Sequence, residues 1–224
     1  MCFSAAASFT ASAVLVPTGM TSIYRASKTD KRYIAISALP LLLGIQQLFE
    51  GVVWIAGEKA VPSLVSQASL AYMFFSWLAW PVWVPLSVYF LEPDHRRPLF
   101  LIFSIFGGML GAIQYFPYFL HHEWLATTFL PNAISYSATE LLDFVIGRSA
   151  TYALYLLTIV VPLLLSSNRN ARMFGILVIA VLVITYLFFQ YAYISVFCAG
   201  GAIMSLYLVS AILGEPRRNL QKKA

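Results

Sequence analysis

Charge is what this chain of 224 residues has least of: only 10% are Asp, Glu, Lys or Arg, against 60% hydrophobic. A soluble domain carries about 25% charged residues. Too few remain here to cover a globule in water, and a disordered chain is excluded by the same imbalance. Two cysteines are too few for a disulfide-stapled scaffold. The net charge of +5 is scattered and not gathered into a basic domain, which excludes nucleic acid as a partner. No G-x-x-x-x-G-K-[ST], G-x-S-x-G or H-E-x-x-H occurs, so no catalytic signature announces itself. No Asn-x-Ser/Thr sequon occurs either. The first apolar run starts without a basic leader, so a membrane span is expected there and not a cleaved signal peptide.

What the chain does have is long charge-free windows. A span needs about 20 apolar residues. Windows of that kind cover 2–24, 33–56, 67–91, 98–120 and 149–166. A further stretch, 173–214, is about twice that length and must fold back as two spans. The turn is placed at 190–193, beside the aromatic cluster Tyr186, Phe188, Phe189, Tyr191 and Tyr193. The expected fold is therefore all-α: a bundle of seven transmembrane helices over 1–214, with a basic tail at 215–224.

Twelve of the 14 Lys and Arg lie in alternate connections: Arg25, Lys28, Lys31 and Arg32; Arg96 and Arg97; Arg169 and Arg172; and Arg217, Arg218, Lys222 and Lys223. Only Lys59 and Arg148 lie on the other side. By the positive-inside rule the C-terminus is cytoplasmic and the N-terminus external, in agreement with an odd number of spans. The expected location is a bilayer, taken as the bacterial inner (plasma) membrane.

The long outer connection is 121–148. Within it, Ser137-Ala-Thr-Glu140 reads as a capping box that opens a short amphipathic helix over 138–146, which lies on the membrane, folds over the bundle or is a solvated connector. Gly107, Gly108 and Gly111 mark a close helix contact. The run of Trp77, Trp80, Pro81, Trp83 and Pro85 is either a cavity wall or plain aromatic packing. A faint repeat, AVLVP ending at Pro17 and TIVVP ending at Pro162, hints at a 3+1+3 duplication.

Glu50 is the one acid inside a span. A carboxyl there is costly and is expected to face the bundle interior with a partner. Gln46 and Trp54 flank it one turn away on either side, with Gln47 beside them. Gln114 and Gln190 also fall in the outer half. This asymmetry points to a polar site open to the outer face, with Glu50, Gln46, Gln47, Trp54 and Gln114 binding a small solute or ion. Cys2 and Cys198 lie on the same side, as do His121 and His122; these four are the candidate metal ligands, although no ligand spacing supports a metal. The cysteines either pair, share a soft metal or serve as small apolar side chains.

The opening MCFSAAASF, the segment Gln46-Gln47…Glu50-Gly51…Trp54 and the Phe197-Cys198 pair resemble an uncharacterised family of small multi-span membrane proteins that begin MCFSA-x-ASF and end in a Cys-containing helix. That family has a tryptophan where Phe197 stands here. The resemblance implies no activity or cofactor. Three functions stay open: a transporter or sensor of a small solute or ion, an accessory subunit with partner membrane subunits, and a membrane enzyme using Glu50 with a metal.

Overall fold

The computed structural model describes residues 4–131, 133–138, 141–188, 200–201 and 204–211. The chain is mostly helical. Six helices among the described residues are long and apolar enough to cross a membrane. They are α1 (Ala5–Thr29), α2 (Lys31–Glu58), α3 (Pro62–Leu91), α4 (Arg97–Leu120), α5 (Arg148–Leu165) and α6 (Arg169–Phe188). Residues 204–211 are helical as well. The expected turn at 190–193, with Gln190, lies outside the described residues, as do Cys2, Cys198 and the basic tail.

The connections alternate between two ends. At the basic end, α1 turns into α2, α3 into α4, and α5 into α6. At the other end, α2 turns into α3, and the long connection joins α4 to α5. Antiparallel neighbours pack through small residues. Gly19, Gly44 and Gly51 seat Leu41, Val16 and Phe9 between α1 and α2. Without a hydrophobic driving force between helices in lipid, such close approach is what holds a bundle together.

α3 shows why its proline–tryptophan run is there. Pro81 has no N–H, and its ring crowds the carbonyl four residues back, at Trp77. The helix answers by widening: Phe74–Ala79 is a π-helical turn, with the Trp80 N–H reaching Phe75 O. The next N–H in that ladder would be Pro81's, so Ser76 O is left over. The Tyr155 hydroxyl of α5 takes it. Pro85 likewise has no N–H for the Pro81 carbonyl four residues back. α4 covers both carbonyls with glycine: Gly111 lies against Trp77 O and Gly107 against Pro81 O, each with no room for a Cβ. The three glycines of α4 are thus a contact with α3, as their spacing implies.

This contact makes a prediction of opposite signs. A Cβ at Gly108 would meet only Val82 Cγ2, at an ordinary 3.4 Å. Gly108→Ala should therefore be neutral or stabilise by up to about 1 kcal/mol through helix propensity. Gly111→Ala should destabilise by about 1–3 kcal/mol, since the added methyl pushes the helices apart. Thermal melts of the two purified variants decide it; a common sign for both would refute the carbonyl contact.

The connection 121–148 differs from expectation. It holds an antiparallel hairpin, β1 (Leu125–Leu130) and β2 (Ala133–Ala138), in register from Leu125↔Ala138 to Leu130↔Ala133. Ser137 and Ala138 close β2, so the expected helix over 138–146 does not form; 141–144 is a single 3-10 turn. The competing signal was on the page: LATTFL and AISYSA are rich in β-branched and aromatic residues, and Pro131-Asn132 separates them. Of the apolar side expected for that helix, Val145 and Ile146 are exposed while Leu142 packs against the core, so these residues do not pack as one face. Among the described residues the fold is accordingly helical with one small sheet.

The remaining apolar surface is extensive. Ile102, Ile105, Phe106, Met109 and Ile113 are exposed along one side of α4, opposite its buried face of Ser104, Gly107, Gly111 and Gln114. A helix buried on one stripe and greasy on the other fits lipid contact.

Candidate functional site

α2 buries Gln46, Gln47, Glu50 and Trp54 together, the first three at 0–1% exposure. Gln47 lies on the stripe between Gly44 and Gly51 that meets α1, and Gln46 on the face turned to α3. Gln46 is fully engaged there: its Nε2 donates to Ser76 Oγ at 3.0 Å, and its Oε1 accepts from Trp80 Nε1 at 3.0 Å. Glu50 also bonds a glutamine. Gln47 Nε2, three residues back, donates to Glu50 Oε2 at 3.2 Å, while Gln46 turns to α3.

Depth can be counted. Gln46 is level with Ser76 and Trp80, so Glu50, four residues along the antiparallel α2, is level with about Met73. Gly111 is level with Trp77, so Gln114, three residues along α4, is level with about Phe74. At about 1.5 Å per residue the two lie within one turn of each other in depth. Glu50, Gln47, Gln46, Ser76 and Gln114 thus form a polar layer across α2, α3 and α4, and Tyr155 ties α5 to it through Ser76 O.

Several groups near this depth are buried without a hydrogen-bonding partner: Gln47 Oε1, both amide atoms of Gln114, and the Nε1 groups of Trp54 and Trp77. Each such group costs about 1–3 kcal/mol to leave unmatched. They comprise donors and acceptors both, which is a demand for water or a polar ligand. Trp77 is otherwise packed, stacked on Tyr152 at 5.7 Å and edge-on to Tyr155 at 5.4 Å.

The hairpin sits over this layer. Thr127 Oγ1 donates to Ser69 Oγ at 2.8 Å. Tyr136 stacks on Tyr72 at 4.9 Å, and Phe129 rests on Trp54 at 5.9 Å, above Gly57. Trp54 is one turn from Glu50, and Tyr72 one turn from Ser76.

Of the four metal candidates, only the side chain of His121 is among the described residues. His121 lies by the hairpin, its Nδ1 3.5 Å from Glu123 Oε1 and its ring 4.4 Å from that of Trp124, and it is exposed to solvent. The side chain of His122 and both cysteines lie outside the described residues. Among the described residues no three of His, Cys, Asp and Glu converge.

Sequence reasoning missed Ser76, Trp80 and Tyr155 as members of the polar layer. The signal for two of them was the 4-residue step Ser76–Trp80 opposite Gln46; Tyr155 had none. It also missed a second cluster, at the basic end. Glu92 is 1% exposed. It accepts from Ser166 Oγ at 2.7 Å, Ser167 N at 2.6 Å and Ser167 Oγ at 2.8 Å, and pairs with Arg96 at 3.2 Å. Arg96 also donates to Ser167 Oγ and, at 2.8 Å, to Leu165 O. Asn168 Nδ2 donates to Tyr33 OH at 2.7 Å. The cluster therefore joins all three connections of the basic end. Nearby, the Arg32 guanidinium bonded to Asp30 holds that carboxyl below the usual carboxylate range.

One comparison with known proteins finds a match, and it extends over residues 1–223. The chain belongs to DUF6629, a family of unknown function. No curated protein and no solved structure matches it. Membership agrees with the resemblance drawn from the opening motif, the Glu50 segment and Phe197-Cys198, and like it carries no activity to this member of DUF6629.

Proposed function

We propose that this chain is an integral membrane protein that binds a small solute or ion at the Glu50 layer, as a transporter or sensor. The observation that carries the reading is the set of buried, unmatched donors and acceptors grouped in depth around the one acid of the spans. A bundle built only for packing would fill that depth with apolar side chains, which cost nothing to bury. The basic connections put the hairpin end outside, so the layer lies in the outer half and the Glu92 cluster faces the cytoplasm.

Native mass spectrometry of gently solubilised protein, with elemental analysis, tests the binding reading. A small bound species is expected, lost on Gln114→Ala. Protein that carries no such species but holds other membrane subunits would replace this reading with that of an accessory subunit. Orientation has its own check. A reporter fused to the C-terminus should read cytoplasmic, and one inserted after Glu58 should read external. If both read the same side, the orientation or the number of spans is wrong.

A further inference from the structure

The two ends of the bundle are closed by different chemistry. At the basic end a carboxylate and a guanidinium join the α3–α4 and α5–α6 connections by charge-assisted hydrogen bonds, the strong kind. At the other end the hairpin meets the helices through a hydroxyl–hydroxyl bond, the rings of Tyr136 and Phe129 and the buried side chain of Ile134. A two-stranded hairpin is marginal on its own and depends on such support. Its return to α5 passes through Gly147, at φ +82°, a conformation that glycine adopts without strain. A seam of apolar and neutral contacts parts more readily than one of charge-assisted bonds.

The polar layer lies one helical turn beneath this hairpin. Four residues separate Glu50 from Trp54, under Phe129, and four separate Ser76 from Tyr72, under Tyr136. That is about 6 Å on each helix. Phe129 and Tyr136 thus cover the hairpin side of Trp54 and Tyr72, and one turn of helix lies between those two residues and Glu50 and Ser76.

We propose that the β1–β2 hairpin is a lid, which opens the polar layer at its own end of the bundle while the Glu92 cluster holds the basic end shut. The proposal rests on the reading of that layer as a ligand site, but it is tested without a ligand. Ser76→Cys places a thiol in the layer, and its rate of reaction with N-ethylmaleimide is read by peptide mass in nanodiscs, where both faces are open to reagent. Gln114→Cys serves if Ser76→Cys does not fold.

Three backgrounds are compared. Loosening the lid with Phe129→Ala and Tyr136→Ala should speed labelling at least tenfold. Locking it by oxidising the pair Thr127→Cys and Ser69→Cys, whose native oxygens are 2.8 Å apart, should slow labelling at least tenfold relative to the reduced pair. Glu92→Gln should leave the rate within twofold. The locked pair alone carries the test if the loosened lid unfolds the protein. Equal rates in the oxidised and reduced pair, or faster labelling in Glu92→Gln than in the loosened lid, would overturn the proposal. A failure of solute binding with these rates intact would remove the ligand reading and leave the lid.

Discussion

Glu92→Ala is expected to lower stability by about 3 kcal/mol, the low end of what breaking a buried ion pair costs. The low end applies because Arg96 is a third exposed and can turn to water once its partner is gone. The hydroxyl of Ser166, 2% exposed, has no such escape: it loses its acceptor at 2.7 Å and stays under the same packing. The backbone N–H of Ser167 loses its acceptor at 2.6 Å as well. For a chain of this length each kcal/mol moves the melting temperature by about 2–4 °C, so a fall of roughly 6–12 °C in detergent is expected. Glu92→Gln should fall by less, since it keeps one acceptor oxygen and the shape. A change under 2 °C for Glu92→Ala would mean that the cluster is ornamental to the fold.

Glu50→Gln should do the reverse: leave the melting temperature within about 2 °C and cut ligand occupancy at least tenfold. The amide is nearly the size of the carboxyl, and its oxygen can accept the same bond from Gln47 Nε2. What the amide cannot do is carry an exchangeable carboxyl proton or a negative charge. A role in packing would be met by either side chain, so folding would survive and binding with it. A role in binding separates the two. Native mass spectrometry beside a thermal melt reads both quantities on one preparation; undiminished occupancy would remove Glu50 from the site.

The helices long enough to span were legible because bilayer thickness and backbone satisfaction leave an apolar chain little choice. Charge-free windows and α1 to α6 agree to within about five residues at most ends. The connection 121–148 was misread because two local signals competed there. A capping box is satisfied within four residues, whereas a hairpin is settled by cross-strand pairs and by the helices beneath it, Tyr72 and Trp54 among them. At the site, a lone acid in a span is conspicuous in any sequence, so Glu50 and its glutamines stood out. Ser76 and Glu92 did not. A serine in a span is common, and Glu92 lies in a polar connection where an acid reads as solvated. Its partners, Ser166 and Ser167, are some 75 residues away, and only the parallel packing of α3 and α5 brings them to it.

The two glycines over the carbonyls of α3 bear on how the molecule can move. A ratchet of one turn between α3 and α4 would bring Phe103 or Tyr115 to the places that Gly107 and Gly111 now hold. Neither side chain fits against a bare carbonyl. Sliding along this seam is therefore forbidden, and α3 and α4 travel as one rigid piece, which leaves any rearrangement of the bundle to the seams where α2 and α5 meet that piece through hydrogen bonds that can be exchanged.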